Sequence, residues 1–555
     1  MKIYSAKKIY SVNEDFTHTN AMAIEGEQIV ELDDLSCLMA KYPAAEVITE
    51  YENDFIYPGF VEPHLHILGS ASMFAALIPV SFTDWTINGR TYKAVRTPEA
   101  FVSTMKERVK EFSDRETLVL WGHYEPLHGE LTREILDEID STRPFAMWGA
   151  SIHKLILNSK AVEDFKVKDI PDSVWGVIKD AEGLPTGVLI EQAMFKTAVE
   201  HIVSKVSPQD MMQSLQSVLE QGRSKGVTTC VDMGIGISMP YEMELKLLQA
   251  ADAIPTMPKC RKGYMFGWQK VYEGQDLDAQ KTFDFVDQHY KSNKDNNTLF
   301  PVKCIKFFAD GAVSDYEIIT KDEFQDNRVT GWLHRFADRT EDTLAEDMSK
   351  FWDNDYSIAI HTQGDQAHSK VLDAVDTLSK SGKGRDGQMF IQHMGFTDDE
   401  FFERVAAMKY KPSASVTPYY SYHFYSSWQK EQILPKSCFN QLQRAQSALD
   451  AGMSVSLNAD IPLMPTNPMM GAYILMTRLD IDGNVVLAEE AISRQDALKA
   501  ITKVAAEQHG LDKIGTLEKG KLADFTVLEF DWMQDDLAKL TALDAKACYV
   551  GGEKS

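Results

Sequence analysis

Between residues 55 and 460, short apolar runs recur and are separated by stretches of helical periodicity, and this alternation constrains the fold more than any other feature. Apolar runs bounded by turn residues read as buried strands, and strands alternating with amphipathic helices give a parallel sheet with helices outside it. The candidate strands are Phe55–Ile67, Gly226–Met233, Thr256–Phe266, Val302–Asp310, Ser357–Gly364, Gln388–Gly395, Tyr410–Val416 and Ser454–Asp460. That set is the number needed to close a (β/α)8 TIM-type barrel. The connections carry helix signals. Ser207-Pro208 supplies an N-cap and first turn ahead of Met211, Met212, Leu215, Val218 and Leu219 on one face. Ser493 with Asp496 caps another helix carrying Leu498, Ile501 and Val504, with a stop near Gly510.

Two regions depart from the rhythm. Residues 80–205 lie between the first and second strands, far more than a β/α connection needs, and read as an insertion subdomain over the barrel mouth. One helix inside it is capped at Thr97-Pro98. Residues 1–57 and 515–555 are both rich in short strands, and the two ends are expected to form one small β-sandwich-like domain beside a barrel spanning 58–514. The α/β class follows.

Composition narrows the partners. The 555 residues carry a formal charge of -26, which disfavours nucleic acid and anionic membranes as partners. No uninterrupted apolar stretch approaches the length of a membrane span. Lys2, Lys7 and Lys8 are not followed by the apolar run of a signal peptide. The six cysteines contain no CxxC pair, as suits reduced thiols in the cytoplasm. The expected partner is a small-molecule substrate, with a homodimer left open.

The strongest local signal is Pro58-Gly59-Phe60-Val61-Glu62-Pro63-His64-Leu65-His66. Residues two apart in a strand face one side, so His64 and His66 both point into a barrel and can chelate one metal ion. An isolated pair is as often two ordinary histidines. Three further groups end apolar strands: His361, His393 and Asp460. Each alone reads more readily as a hydrogen-bonded structural residue, but together they mark the catalytic face of a barrel. Lys306 sits among apolar neighbours and is either surface-facing or functional, because a buried lysine is costly without a partner. Lys303 reads as the solvated one. His123, His368 and the aromatic run from Tyr419 to Tyr425 carry weaker signals, and Gly234-Ile235-Gly236 reads as a turn.

The ordered set of His64-Leu65-His66, Lys306, His361, His393 and Asp460 resembles the ligand set of the amidohydrolase superfamily. Longer matches resemble its N-substituted formamide deformylase-like branch, amidohydrolase family 3. They are Lys306-Phe307-Phe308-Ala309-Asp310-Gly311, His361-Thr362-Gln363-Gly364-Asp365-Gln366-Ala367 and Ile391-Gln392-His393. Gly183 to Leu189, and His153 with Asn158-Ser159, resemble its insertion; Gly515 to Asp524 resembles a tail signature of the superfamily. Departures are Glu62-Pro63 for Asp-Ala, Gln366 for Arg, Gln392 for Glu, and Asn458-Ala459-Asp460 for Gly-Ser-Asp.

The resemblance implies a metal-dependent hydrolase that cleaves an amide, N-acyl or N-formyl bond with hydroxide bridging two divalent cations, zinc by default. It implies that His64, His66 and Asp460 hold one cation and His361 and His393 the other. Lys306, carbamylated by CO2, bridges them. Asp460 then acts as general base and acid, and His153 helps polarise the carbonyl. The rival readings are a mononuclear deaminase, a lactone or ester hydrolase, and a regulatory protein on a relic barrel.

Overall fold

The computed structural model describes residues 1–236, 240–268, 279–328, 331 and 343–555. Eight parallel strands pair in chain order: β1 (Phe60–Leu65), β2 (Val227–Ile235), β3 (Arg261–Gly267), β4 (Leu299–Phe308), β5 (Ser357–Thr362), β6 (Met389–His393), β7 (Ser413–Val416) and β8 (Val455–Leu457). Nearly all of their residues are buried, as expected for strands covered on both faces. Among the described residues β8 and β1 form no ladder. Their seam is bridged by Ala459 N–H to Glu62 Oε1 (3.3 Å) and His66 N–H to the Ile461 carbonyl (3.2 Å).

The first strand is shorter than the sequence suggests. Phe55–Pro58 belongs to a separate strand, Glu46–Pro58, and Gly59 carries the chain from that sheet into the barrel. A side chain at Gly59 would lie 2.0 Å from Thr228 Oγ1, so only glycine permits this crossing. The expected helix after Ser493 is also divided, into Arg494–Ala500 and Lys503–Glu507. At the break the Ile501 carbonyl accepts from Val61 N–H of β1 at 2.8 Å, a bond no continuous helix could spare. The other caps form as the sequence implies: Ser207, Ser493 and Thr97 accept from Asp210, Asp496 and Ala100 N–H.

The two chain ends meet in one seven-stranded sheet rather than the two facing sheets of a sandwich-like domain. The second layer on one face is the helix Leu35–Lys41, whose Leu38 packs with Ile3, Ala21 and Ala23, so no second sheet is needed there. Between β1 and β2 the chain builds a six-stranded sheet of its own, from Ile78–Pro79 to Pro185–Ile190. The terminal sheet is tied to the barrel by a buried pair. Arg261 of β3 meets Asp524 through Nε–Oδ2 (2.5 Å) and Nη2–Oδ1 (3.0 Å), and Gly551 N–H adds a third bond to the carboxylate. Removing one partner of such a pair leaves a charge buried alone, so Asp524→Asn should cost about 3–5 kcal/mol. A urea midpoint equal to that of the unaltered chain would contradict this.

Candidate active site

All the polar residues singled out at strand ends, with Lys306 and His153, line one cavity at the carboxyl ends of the barrel strands. The barrel residues arrive by one device, a buried apolar strand that carries a polar group near or just past its carboxyl end. His64 lies in β1, Lys306 in β4, His361 in β5 and His393 at the end of β6. His66 follows β1 and precedes the helix Ile67–Ala76, and Asp460 lies three residues past β8. His393 and Asp460 both have left-handed backbone, with φ of 72° and 53°. Non-glycine residues are held there only when their surroundings demand it, at a cost of order 1–3 kcal/mol.

Asp460 is the centre of the group. Its Oδ1 is 3.3 Å from His64 Nε2 and 3.7 Å from His66 Nε2, and its Oδ2 is 3.8 Å from His393 Nδ1. The His64 and His393 ring centres are 4.7 Å apart, and those of His361 and His393 4.5 Å. The departure at Gln392 keeps a useful contact. Gln392 Nε2 faces the Phe390 carbonyl (3.4 Å), which only accepts, so Oε1 is the end 2.7 Å from His64 Nδ1. His64 Nδ1 therefore carries a proton, and in the neutral ring that burial favours Nε2 has a lone pair aimed at the Asp460 carboxylate. In that form the two acceptors, 3.3 Å apart, can both be satisfied by one cation. A tetrahedral zinc site with bonds of about 2.0–2.1 Å has edges of about 3.3 Å, and the donor atoms of His64, His66 and Asp460 all lie within 4.8 Å of one another. The donor set fits a divalent metal.

Burial disfavours charge on the rings: His66 is pushed down to about 3, and His64, His361 and His393 also fall, with Lys306 adding to the effect. Neutral imidazole is the form that ligates. Burial also opposes ionisation of Asp460, and positive charge held beside it, on His64 first and then on His393 and His66, would bring the carboxyl well below the usual range. Lys306 is pushed down to about 7 by burial, against which the Asp460 charge works, and its Nζ lies 5.1 Å from the Phe308 ring centre. Lys303 points outward to Asp355 at 3.4 Å. His361 Nε2 is 3.2 Å from the Gly311 carbonyl and 3.3 Å from Gln363 Nε2, which also donates to Tyr420 Oη at 3.0 Å.

His153 comes from the insertion. Ser151, Ile152 and His153 form the tip of a hairpin between Phe145–Gly149 and Lys154–Leu157, with Ile152 at φ 64°. Its Nδ1 is 2.8 Å from Glu191 Oε1. Burial works against charge on this ring, yet Glu191, with Asp315 and Glu317 behind it, raises it to about 9, so it is an imidazolium near neutral pH. Sequence reasoning passed over Glu191, although it follows the strand Pro185–Ile190 directly, the signal that exposed the other strand-end groups. Asp315, which accepts from Ser151 Oγ, was also passed over.

The weaker candidates settle elsewhere. His123 bonds the Gly129 carbonyl (2.9 Å) and His368 the Gly364 carbonyl (2.7 Å). Tyr420 alone of the aromatic run lines the cavity, while Tyr419 donates to the Asn467 carbonyl and Phe424 packs against Phe82 and Trp428.

Comparison with known proteins agrees with this architecture. The chain is 24% identical over 560 residues to YtcJ of Bacillus subtilis, covering 98% of this chain and 97% of the relative. It is 24% identical over 527 residues to the N-substituted formamide deformylase of Arthrobacter pascens, covering 92% and 90%. A solved structure of an uncharacterized metal-dependent hydrolase from Pyrococcus horikoshii superposes with a TM-score of 0.70 at 18% identity, over 97% of this chain and 99% of that one. The model of the amidohydrolase family matches residues 52–554, and with nearly the whole chain inside that match, the protein belongs to the amidohydrolase family.

Proposed function

We propose that the protein hydrolyses a carbon–nitrogen bond of a small amide, N-acyl or N-formyl substrate, using two divalent cations held by His64, His66, Asp460, His361, His393 and carbamylated Lys306. The observation that carries this reading is the convergence of those six side chains on one cavity, with lone pairs of His64 and Asp460 facing each other at 3.3 Å. The similarity to a formamide deformylase supports the choice of bond. When bound, the cations activate a water as nucleophile and polarise the scissile carbonyl. Zinc suits the nitrogen and oxygen donors.

The chain's own residues supply the rest. Near neutral pH part of Lys306 is a free amine; it adds to CO2, an N–C bond forms, a proton leaves to solvent, and the product is an anionic two-oxygen ligand. Asp460 takes a proton from the attacking water at its carboxylate and returns it to the departing nitrogen. His153, cationic beside Glu191, places a positive donor where carbonyl charge develops. A single-cation centre of the deaminase type is the second reading, favoured by the compactness of His64, His66 and Asp460 by themselves.

The test is a panel of N-formyl amines, N-acyl amines, lactones, esters and amino-heterocycles offered to the zinc- and bicarbonate-loaded protein. Release of amine from the first two groups is expected; turnover confined to the others would contradict the reading. His153→Ala should lower kcat about 10²-fold with metal content unchanged, and loss of metal instead would make His153 a ligand.

A further inference from the structure

We infer that Thr417 and Asn458 are positioning residues for His393, fixing which ring nitrogen it presents to the cavity; this rests on the cation centre proposed above. Asn458 Nδ2 donates to Ser415 Oγ at 2.8 Å and to the Ser415 carbonyl at 3.3 Å. A carbonyl only accepts, so that end of the amide is nitrogen and the other end, 3.0 Å from Thr417 Oγ1, is oxygen. The amide oxygen also only accepts, which commits the single hydroxyl proton of Thr417 to it. Thr417 Oγ1 therefore meets His393 Nδ1, 2.9 Å away, as an acceptor. Nδ1 must carry the ring proton, and Nε2 keeps its lone pair. The Asp460 carboxylate, 3.8 Å from Nδ1, is too distant to take over that bond.

The relay is rigid. Thr417, Asn458 and Gln443 are fully buried, so water does not replace any member. Gln443 Nε2 donates to the Thr417 carbonyl. The buried guanidinium of Arg478 in turn donates to the carbonyls of Gln443 (3.1 Å), Leu442 (3.2 Å) and Val486 (2.9 Å). His393 needs such a clamp, because its φ of 72° takes it out of the regular strand conformation that aims a side chain by packing alone. The same logic acts on His64 through Gln392, so two neutral amides set the proton position on two rings.

The experiment has two readouts besides turnover. In metal-free protein labelled with 15N-histidine, the His393 resonances, identified by their loss in His393→Gln, should show a protonated Nδ1 and an unprotonated Nε2; the reverse pattern would overturn the inference. Zinc affinity is then measured by chelator competition for the unaltered chain, Thr417→Val and Thr417→Ser, each checked for a cooperative thermal transition. Thr417→Val should lose about 10-fold or more in affinity for one cation, and Thr417→Ser, which keeps the hydroxyl, should recover it. Equal affinity of Thr417→Val and the unaltered chain would refute the positioning role. Failure of the unaltered chain to bind zinc would instead refute the cation centre itself. Should Thr417→Val not fold, the tautomer measurement on the unaltered protein still decides.

Discussion

Asp460→Asn should lower kcat by about 10²–10⁴-fold while the chain stays folded and keeps much of its metal. The amide retains an oxygen donor of the same size at the point where His64, His66 and His393 converge, so ligation is weakened less than proton transfer. What it loses is the basic carboxylate at the point where those rings converge. A neutral amide cannot accept a proton from the attacking water or deliver one to the departing nitrogen. Steady-state kinetics with metal analysis on the same preparation separates the two effects. Near-normal turnover would show that Asp460 is not the base, and loss of all metal would show that ligation is its main task.

Lys306→Ala should be comparably damaging, with kcat/KM down on the order of 10³-fold, because several kcal/mol of electrostatic stabilisation is lost with the anionic ligand. The lysine is 1% exposed and lines the cavity, and burial there strips charge from an ammonium. The proposed carbamylation would convert the amine to an anion and so offset part of the charge of two cations. A short carboxylic acid added to Lys306→Ala should restore part of the activity, as the missing carboxylate can be supplied in solution. An unimpaired Lys306→Ala enzyme would remove the lysine from the chemistry. If added carboxylate gave no recovery although the variant still bound two cations, the bridging role would fail and a purely structural lysine would remain.

The barrel was legible because parallel strands covered on both faces must be continuous apolar runs, and a polar residue at the end of each is conspicuous against them. That contrast exposed His361 and His393, whose strands end on them or one residue later. It is weaker where geometry depends on a turn. Gly59 divides a single apolar run, Phe55–Ile67, between two sheets, and nothing in the run itself marks which half pairs with the carboxyl-terminal strand Phe525–Leu528. The broken helix at Ile501 has the same origin, since its cause is Val61, far away in the sequence. Hydrogen-bond partners were the least legible layer. Glu191 lies 38 residues from His153 and Thr417 lies 24 from His393, and no periodicity connects either pair. Their pairing becomes visible only when the hairpin tip and the strand ends share one cavity.

The central claim is that one cavity holds two cations joined through Lys306. Its most direct test is a crystal structure of the protein prepared with zinc and bicarbonate, with data collected on both sides of the zinc absorption edge. The account predicts two anomalous peaks, one beside His64, His66 and Asp460 and one beside His361 and His393, about 3.5–4 Å apart, with carbamate density continuous from Lys306 Nζ to both. A single peak, or two peaks beside an unmodified Lys306 turned away from them, would contradict it.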